Sequence, residues 1–234
     1  MTGLLVSVRD SAEAQAALNG GADVIDIKEP RAGSLGPAEV ETWRKIVDVV
    51  GADKPLSVAL GELQDDGVCG LARQAAGMRF AKIGLSGCHD ESDWNKRWRK
   101  AIDCLPNDVA SVAVIYADYP LARSPVPAAV LQHAIQFGCA AILFDTHTKT
   151  QGHLFDHLGE RELLPLFRDA KQVGLKLVIG GSLRGELIHR ALELEPDYIA
   201  VRGAVCHGDR RGMVDQALIE SLAEIIHTDS PTSC

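Results

Sequence analysis

The chain has 234 residues, 46% of them hydrophobic and 24% charged, the balance of an ordinary globular protein. Its formal charge of −8 argues against general nucleic-acid binding, which leaves a basic footprint, yet a local positive pocket can still hold an anionic small substrate. No apolar run approaches the roughly 20 residues of a membrane helix, Met1-Thr2-Gly3-Leu4 lacks the basic start of a secretory signal, and six cysteines without a CxxC pair read as reduced thiols of a cytoplasmic protein.

Short apolar runs alternate with longer helical patterns along the whole chain, the signature of βα units and a parallel sheet. The first strand is expected over 4–8. Asp10 or Ser11 then caps a helix over 12–19, which stops at Gly20-Gly21. A second strand over 23–28 leads through a loop, 29–36, into a helix from Pro37 to about residue 50, with proline well placed in its first turn. The third strand spans 55–60 with a helix near 68–76, and the fourth spans 80–84. A charged helix over about 91–104 carries Trp94 and Trp98 four apart, a spacing that anchors it to the barrel. The fifth strand covers 109–116 with a helix over 126–136. The sixth covers 140–145, with a longer loop and a helix near 160–173. The seventh covers 175–180 with a helix over 184–193. The eighth covers 197–201 and the closing helix 214–227.

Eight strand–helix units in a chain near the usual 250 residues predict a single (β/α)8 TIM barrel over 1–227, with 228–234 a flexible tail. An open doubly wound sheet is the alternative.

Three of these strands end in charge. Asp26-Ile27-Lys28 closes the second, Lys82 sits in the fourth, and Asp145 ends the sixth, with Lys149 four residues on. A buried ion loses its hydration, and the place in a parallel barrel that tolerates this is the C-terminal rim, where the chemistry occurs. Residues two apart on a strand share a face, so Asp26 and Lys28 point inward together, as does Lys82. Alternate strands feed the same interior layer, so three lysines and two aspartates converge on one cavity. Crowded ammonium groups lower one another's pKa, and a neutral amine attacks carbonyls. The bland alternative is a set of rim ion pairs.

Gly180-Gly181-Ser182 follows the seventh strand and Arg202-Gly203 the eighth, the two loops that hold phosphate in many barrels. Glycines let backbone N–H groups approach an anion, Ser182 adds a hydroxyl, and the helix start adds a favourable dipole. Arg202 can either grip the anion or pair with a neighbouring carboxylate. Ser7 and Arg9 lie near the mouth. Ser7 and Asp118 are candidate substrate contacts, with loop capping the alternative for Asp118. Glu62, Asp65 and Asp66 read as a solvated acidic loop, His147 and His153 as polar surface. No metal site and no cofactor are expected.

These residues resemble a known family. Asp26-Ile-Lys28-Glu-Pro-Arg-Ala-Gly33-Ser-Leu-Gly36, Lys82-Ile-Gly-Leu, Phe144-Asp-Thr-His-Thr-Lys149 and Val201-Arg-Gly-Ala-Val-Cys206 are similar to segments of (5-formylfuran-3-yl)methyl phosphate synthases, over about 4–226. The resemblance implies a barrel lyase that condenses two glyceraldehyde 3-phosphate molecules, with loss of phosphate and water, toward the furan of methanofuran. It further implies Lys28 as the Schiff-base residue, with Lys82, Lys149, Asp26 and Asp145 completing the set. Two departures stand out, since archaeal members often carry Asn at the place of Glu29 and Ala at that of Gly180. Glu29 is expected to raise the pKa of Lys28. A class I aldolase or phosphosugar isomerase, and a non-catalytic phosphosugar-binding protein, are the competing readings. A homo-oligomer is a default expectation.

Overall fold

The computed structural model describes residues 1–228. Its strands are β1 (Gly3–Val8), β2 (Val24–Ile27), β3 (Leu56–Glu62), β4 (Phe80–Gly84), β5 (Ala110–Tyr116), β6 (Ala141–Asp145), β7 (Lys176–Ile179) and β8 (Tyr198–Val201). They pair in parallel in chain order, and β8 closes against β1, giving the expected TIM barrel. The outer helices are α1 (Ser11–Asn19), α2 (Val40–Val50), α3 (Val68–Ala72), α4 (Trp94–Ile102), α5 (Tyr119–Ala122), α6 (Pro127–Phe137), α7 (Leu154–His157), α8 (Glu160–Gln172), α9 (Glu186–Leu192) and α10 (Gln216–Thr228).

Local chemistry accounts for most of these boundaries. Asp10 accepts the Glu13 N–H at 2.9 Å and starts α1. Trp98 is buried under α4 and stacks on Trp94 at 6.1 Å, so the pair does anchor this helix. Three expectations need correction. The second helix begins at Val40, because Glu39 is still extended at ψ 141°. Two short helices, α5 and α7, interrupt the loops after β5 and β6. Thr228, the first residue of the expected tail, ends α10 in helix; the rest of that tail, 229–234, lies outside the described residues.

Strand alternation sorts the apolar residues into two shells. Leu4, Val6, Ile25, Ile27, Val58, Ile142, Phe144 and Ile199 face the helices in the larger core. Leu5, Val24, Ala59, Val112, Val114, Leu143 and Val178 fill the barrel, with Phe80 and Tyr198 packed beneath them at the N-terminal end. Above this apolar plug the inward side chains turn polar. Ser7 pairs in register with Asp26, and Asp26 with Ser57. The β3–β4 pairing slips between Ala59 and Glu62, where Gly61 takes φ +90°, and this kink carries Glu62 to the rim.

Candidate active site

The mouth of the barrel holds a cavity of ≈380 Å³ lined by Lys28, Lys82, Lys149, Asp26 and Asp145. Strand parity and layering bring together the five residues that the sequence singles out. Lys82 Nζ donates to Asp26 Oδ1 at 2.5 Å, and Ser7 Oγ donates to Asp26 Oδ2 at 2.9 Å. Lys149 Nζ donates to Asp145 Oδ1 at 2.5 Å and reaches Thr146 Oγ1 at 3.4 Å. Two of the three lysines therefore have a carboxylate each. Lys28 Nζ has no acceptor and no ion-pair partner among the described residues, although Lys28 is only 7% exposed.

Electrostatics also marks out Lys28. Burial brings the Lys28 ammonium down to about 7; Asp145 and Asp26 oppose that fall, while Lys149 and Arg210 add to it. Glu29, expected to raise it, is not among the main influences on Lys28; its carboxylate accepts the Arg31 N–H at 2.8 Å. Burial also lowers Lys149, partly offset by Asp145. Burial by itself would raise Asp26 and Asp145, but Lys82 and Lys28 outweigh it at the first, Lys149 and Lys28 at the second. Both carboxyls stay below the ordinary range. The site thus presents two ionised carboxylates, each bound to a lysine, and one buried amine near its neutral point.

The 29–36 loop, whose sequence is the most distinctive of the chain, packs over this group. Glu29 N–H donates to Gly36 O at 2.8 Å and closes the loop. A Cβ on Gly36 would lie 2.5 Å from Ala32 Cβ, so only glycine allows that closure. Ser34 Oγ donates to Thr146 O at 2.9 Å and ties the loop to the end of β6.

After β7, Gly181 and Ser182 both take left-handed backbone, at φ +90° and +61°. Gly181 is free to do so; Ser182 is strained there, as residues at ligand loops often are. Gly203 leaves room for Arg184, whose Nη2 would come within 2.8 Å of a Cβ at that position. Gly180, Gly181, Ser182 and Gly203 all line the cavity.

Arg202 also touches the cavity, but its guanidinium is fully engaged inside the protein. Nη1 donates to Glu13 Oε2 at 2.7 Å and Ser7 O at 2.9 Å, Nη2 to Glu13 Oε1 at 3.1 Å and Gly212 O at 3.0 Å, and Nε to Arg210 O at 2.6 Å. All five donors are used, so of the two roles open to Arg202 the geometry takes the ion pair and not the anion grip. Asp118 likewise differs from a substrate contact. It is fully buried, off the cavity lining, and its two oxygens accept the N–H groups of His147 and Thr148 at 2.7 Å each. It clamps the loop that carries Lys149. Ser7 acts through Asp26, as above.

Glu62 is not a solvated acid. It accepts Tyr116 Oη–H at 2.6 Å and the Ser86 N–H at 2.8 Å, and burial raises its carboxyl despite those bonds. The residue that sequence reasoning passed over is Arg210. It lies in Gly208-Asp-Arg-Arg-Gly212 after β8, and only the basic pair between two glycines hints at it. Its position over the mouth depends on a loop fold that spacing does not encode.

A protein-family model described as 4-HFC-P synthase matches residues 4–223. Similar proteins include the (5-formylfuran-3-yl)methyl phosphate synthases of Methanopyrus kandleri, 35% identical over 95% of this chain and 98% of the relative, and of Methanosarcina mazei, 34% identical over 94% and 97%. Among solved structures, phosphoribosyl anthranilate isomerase of Thermotoga maritima superposes with a TM-score of 0.64 at 15% identity, covering 97% of this chain and 100% of that one. Thermus thermophilus phosphoribosyl anthranilate isomerase gives 0.63 at 14%, over 97% and 99%. At such identities the structures speak for the barrel alone. The sequence matches span nearly the whole chain and carry the relationship: the chain belongs to the 4-HFC-P synthase family.

Proposed function

We propose that this protein condenses two molecules of glyceraldehyde 3-phosphate into (5-formylfuran-3-yl)methyl phosphate, through an imine on Lys28, as a step toward a methanofuran-type one-carbon carrier. The observation that carries the reading is the unpaired Lys28, buried between two lysine–aspartate pairs with its amine near neutrality. A neutral amine adds to the aldehyde carbon of the first triose, and loss of water gives the imine. Its protonated nitrogen draws electron density and acidifies the hydrogen on the neighbouring carbon. A carboxylate of the site takes that proton. The electron pair left behind forms a double bond and the next C–O bond breaks, so inorganic phosphate leaves with its electrons. A site carboxylate takes the proton from C2 of the second triose phosphate, and that carbon adds to the terminal carbon of the unsaturated imine, the bond that a 3,5-substituted furan requires. Ring closure, dehydration and release from Lys28 leave one furan phosphate, one inorganic phosphate and two waters from two trioses. Asp26–Lys82 and Asp145–Lys149 are pre-formed proton donor–acceptor pairs for these transfers, because each holds a proton between a carboxylate and an amine.

The test is an assay with purified protein and glyceraldehyde 3-phosphate that follows ultraviolet absorbance and free phosphate together. A furan chromophore is expected to rise in step with phosphate, and Lys28→Ala to abolish both. Absence of both signals with folded protein would sink the reading. Borohydride trapping of a triose adduct on Lys28 distinguishes an imine enzyme from a phosphosugar-binding protein.

A further inference from the structure

Among the described residues Arg184, Arg210 and Arg211 line the cavity with guanidinium donors to spare, and of these Arg210 is the one anchored over the mouth and acting on both Lys28 and Lys149. It reaches across the mouth from the loop after β8 to the 29–36 loop, where Nη1 donates to Pro30 O at 3.1 Å and Nη2 to Gly33 O at 3.0 Å. A guanidinium has five N–H groups, and the other three of Arg210 have no acceptor among the described residues. No carboxylate pairs with it there either. It is half-buried and lines the same cavity as Lys28 and Lys149. Two carbonyls thus fix a planar cation over the mouth, while its free donors remain for a ligand. That arrangement suits a phosphate, which a guanidinium fork binds through paired charge-assisted hydrogen bonds.

The glycine loops after β7 and β8 line another part of the same cavity, with Arg184 packed over Gly203, and offer backbone N–H groups to an anion there. Two substrates that each carry a phosphate need two such places. The charge of Arg210, unlike that of Arg184, is among the main influences on the Lys28 and Lys149 amines.

We propose that Arg210, together with Lys149, forms a second anion subsite that holds the phosphate of the triose joined to Lys28 and receives it on departure. The inference rests on the condensation reading above. In this division of labour the glycine loops keep the phosphate that stays in the product. The phosphate at Arg210 leaves with the electron pair of its C–O bond, the proton from the neighbouring carbon having gone to a site carboxylate. The fixed guanidinium then meets charge that grows as the bond breaks, which is where a preorganised donor contributes most.

Inorganic phosphate is the probe. Calorimetric titration of the wild type is expected to give two sites, and Arg210→Gln to weaken one by at least about tenfold while the other is unchanged. Arg210→Lys, which keeps the charge without the fork, is expected to fall between. In turnover, Arg210→Gln should slow phosphate release from glyceraldehyde 3-phosphate by about a hundredfold. Trapping of unphosphorylated glyceraldehyde on Lys28, measured above pH 8 so that the amine is free in both proteins, should keep its rate. Equal phosphate binding in wild type and variant, or equal turnover, overturns the proposal. If the variant does not fold, the wild type decides: phosphate should protect Arg210 from phenylglyoxal, mapped by mass spectrometry, and lack of protection is equally fatal. A wild type that makes no furan refutes the condensation, whereas the phosphate titration still reports on the subsite alone.

Discussion

In the proposed reaction the chemistry turns on Lys28, and what distinguishes that residue is the absence of a hydrogen-bond or ion-pair partner among the described residues. The neighbouring lysines are held at 2.5 Å by carboxylates; Lys28 is left to burial, which takes its amine down to about 7. The sign of the pH dependence follows. Below that value the amine is protonated and cannot attack, so the rate of cyanoborohydride-trapped imine should fall about tenfold per pH unit. Above it the amine is free and the rate should level off. An ordinary lysine would keep climbing toward pH 10, and such a profile for the wild type would refute the assignment of a depressed amine. The sequence exposes Lys28 as a charge that stops an apolar strand, and parity aims it inward. Which of three lysines lacks a carboxylate was not legible, because the Asp26–Lys82 pair joins residues 56 apart. Gly180 shows a further limit. A Cβ there would meet Ala200 O only at 3.4 Å and Asp145 Oδ1 at 3.6 Å, so an alanine would fit with little disturbance and the glycine is not required by space.

At the scale of elements, the loops set the site more than the strands do. All eight strands could be read from apolar runs bounded by turn residues. The loops after β5 and β6 could not, since α5 and α7 are single turns with no periodicity of their own. Asp118 shows the consequence. Placed just after β5, it reads equally as a mouth carboxylate or a loop cap, and only the fold shows it clamping the backbone at His147 and Thr148. Asp118→Asn replaces one acceptor oxygen with a donor, leaving one of those buried N–H groups opposed. The expected cost is about 1–3 kcal/mol of stability and roughly tenfold in kcat through misplacement of Lys149. Imine trapping on Lys28 should be little affected, because β2 holds that residue independently. A variant that lost trapping and turnover equally would point to general collapse instead of a positioned lysine.

The whole molecule is a closed barrel in which the first and last units are joined by one buried ion pair. Glu13 of α1 and Arg202 at the end of β8 lie 1% and 3% exposed and meet at 2.7 Å, and the guanidinium also gathers the carbonyls of the 206–213 segment. This lock holds the ring shut beside the loop that presents Arg210. Arg202→Met strands a buried carboxylate, with Arg9 at 3.2 Å its remaining cation, and is expected to cost about 3 kcal/mol by denaturant unfolding. Glu13→Leu combined with Arg202→Met should recover most of that, since two apolar side chains bury without desolvation cost. A double variant as unstable as the single one would show that the carbonyl contacts, and not the charge pair, dominate.

The apolar plug under the site has a consequence for isotopes. With Phe80, Tyr198 and the layer above them leaving only a narrow, mostly apolar cavity of ≈30 Å³ beneath Lys82, Asp26 and Lys82 communicate with solvent chiefly through the mouth. In the proposed condensation two trioses close that mouth, and a deuteron abstracted from substrate carbon then has little path to wash out. The lysine–aspartate pairs would then act as a sealed proton store, and label removed at one step would be returned to carbon or oxygen of the same complex before it met the solvent.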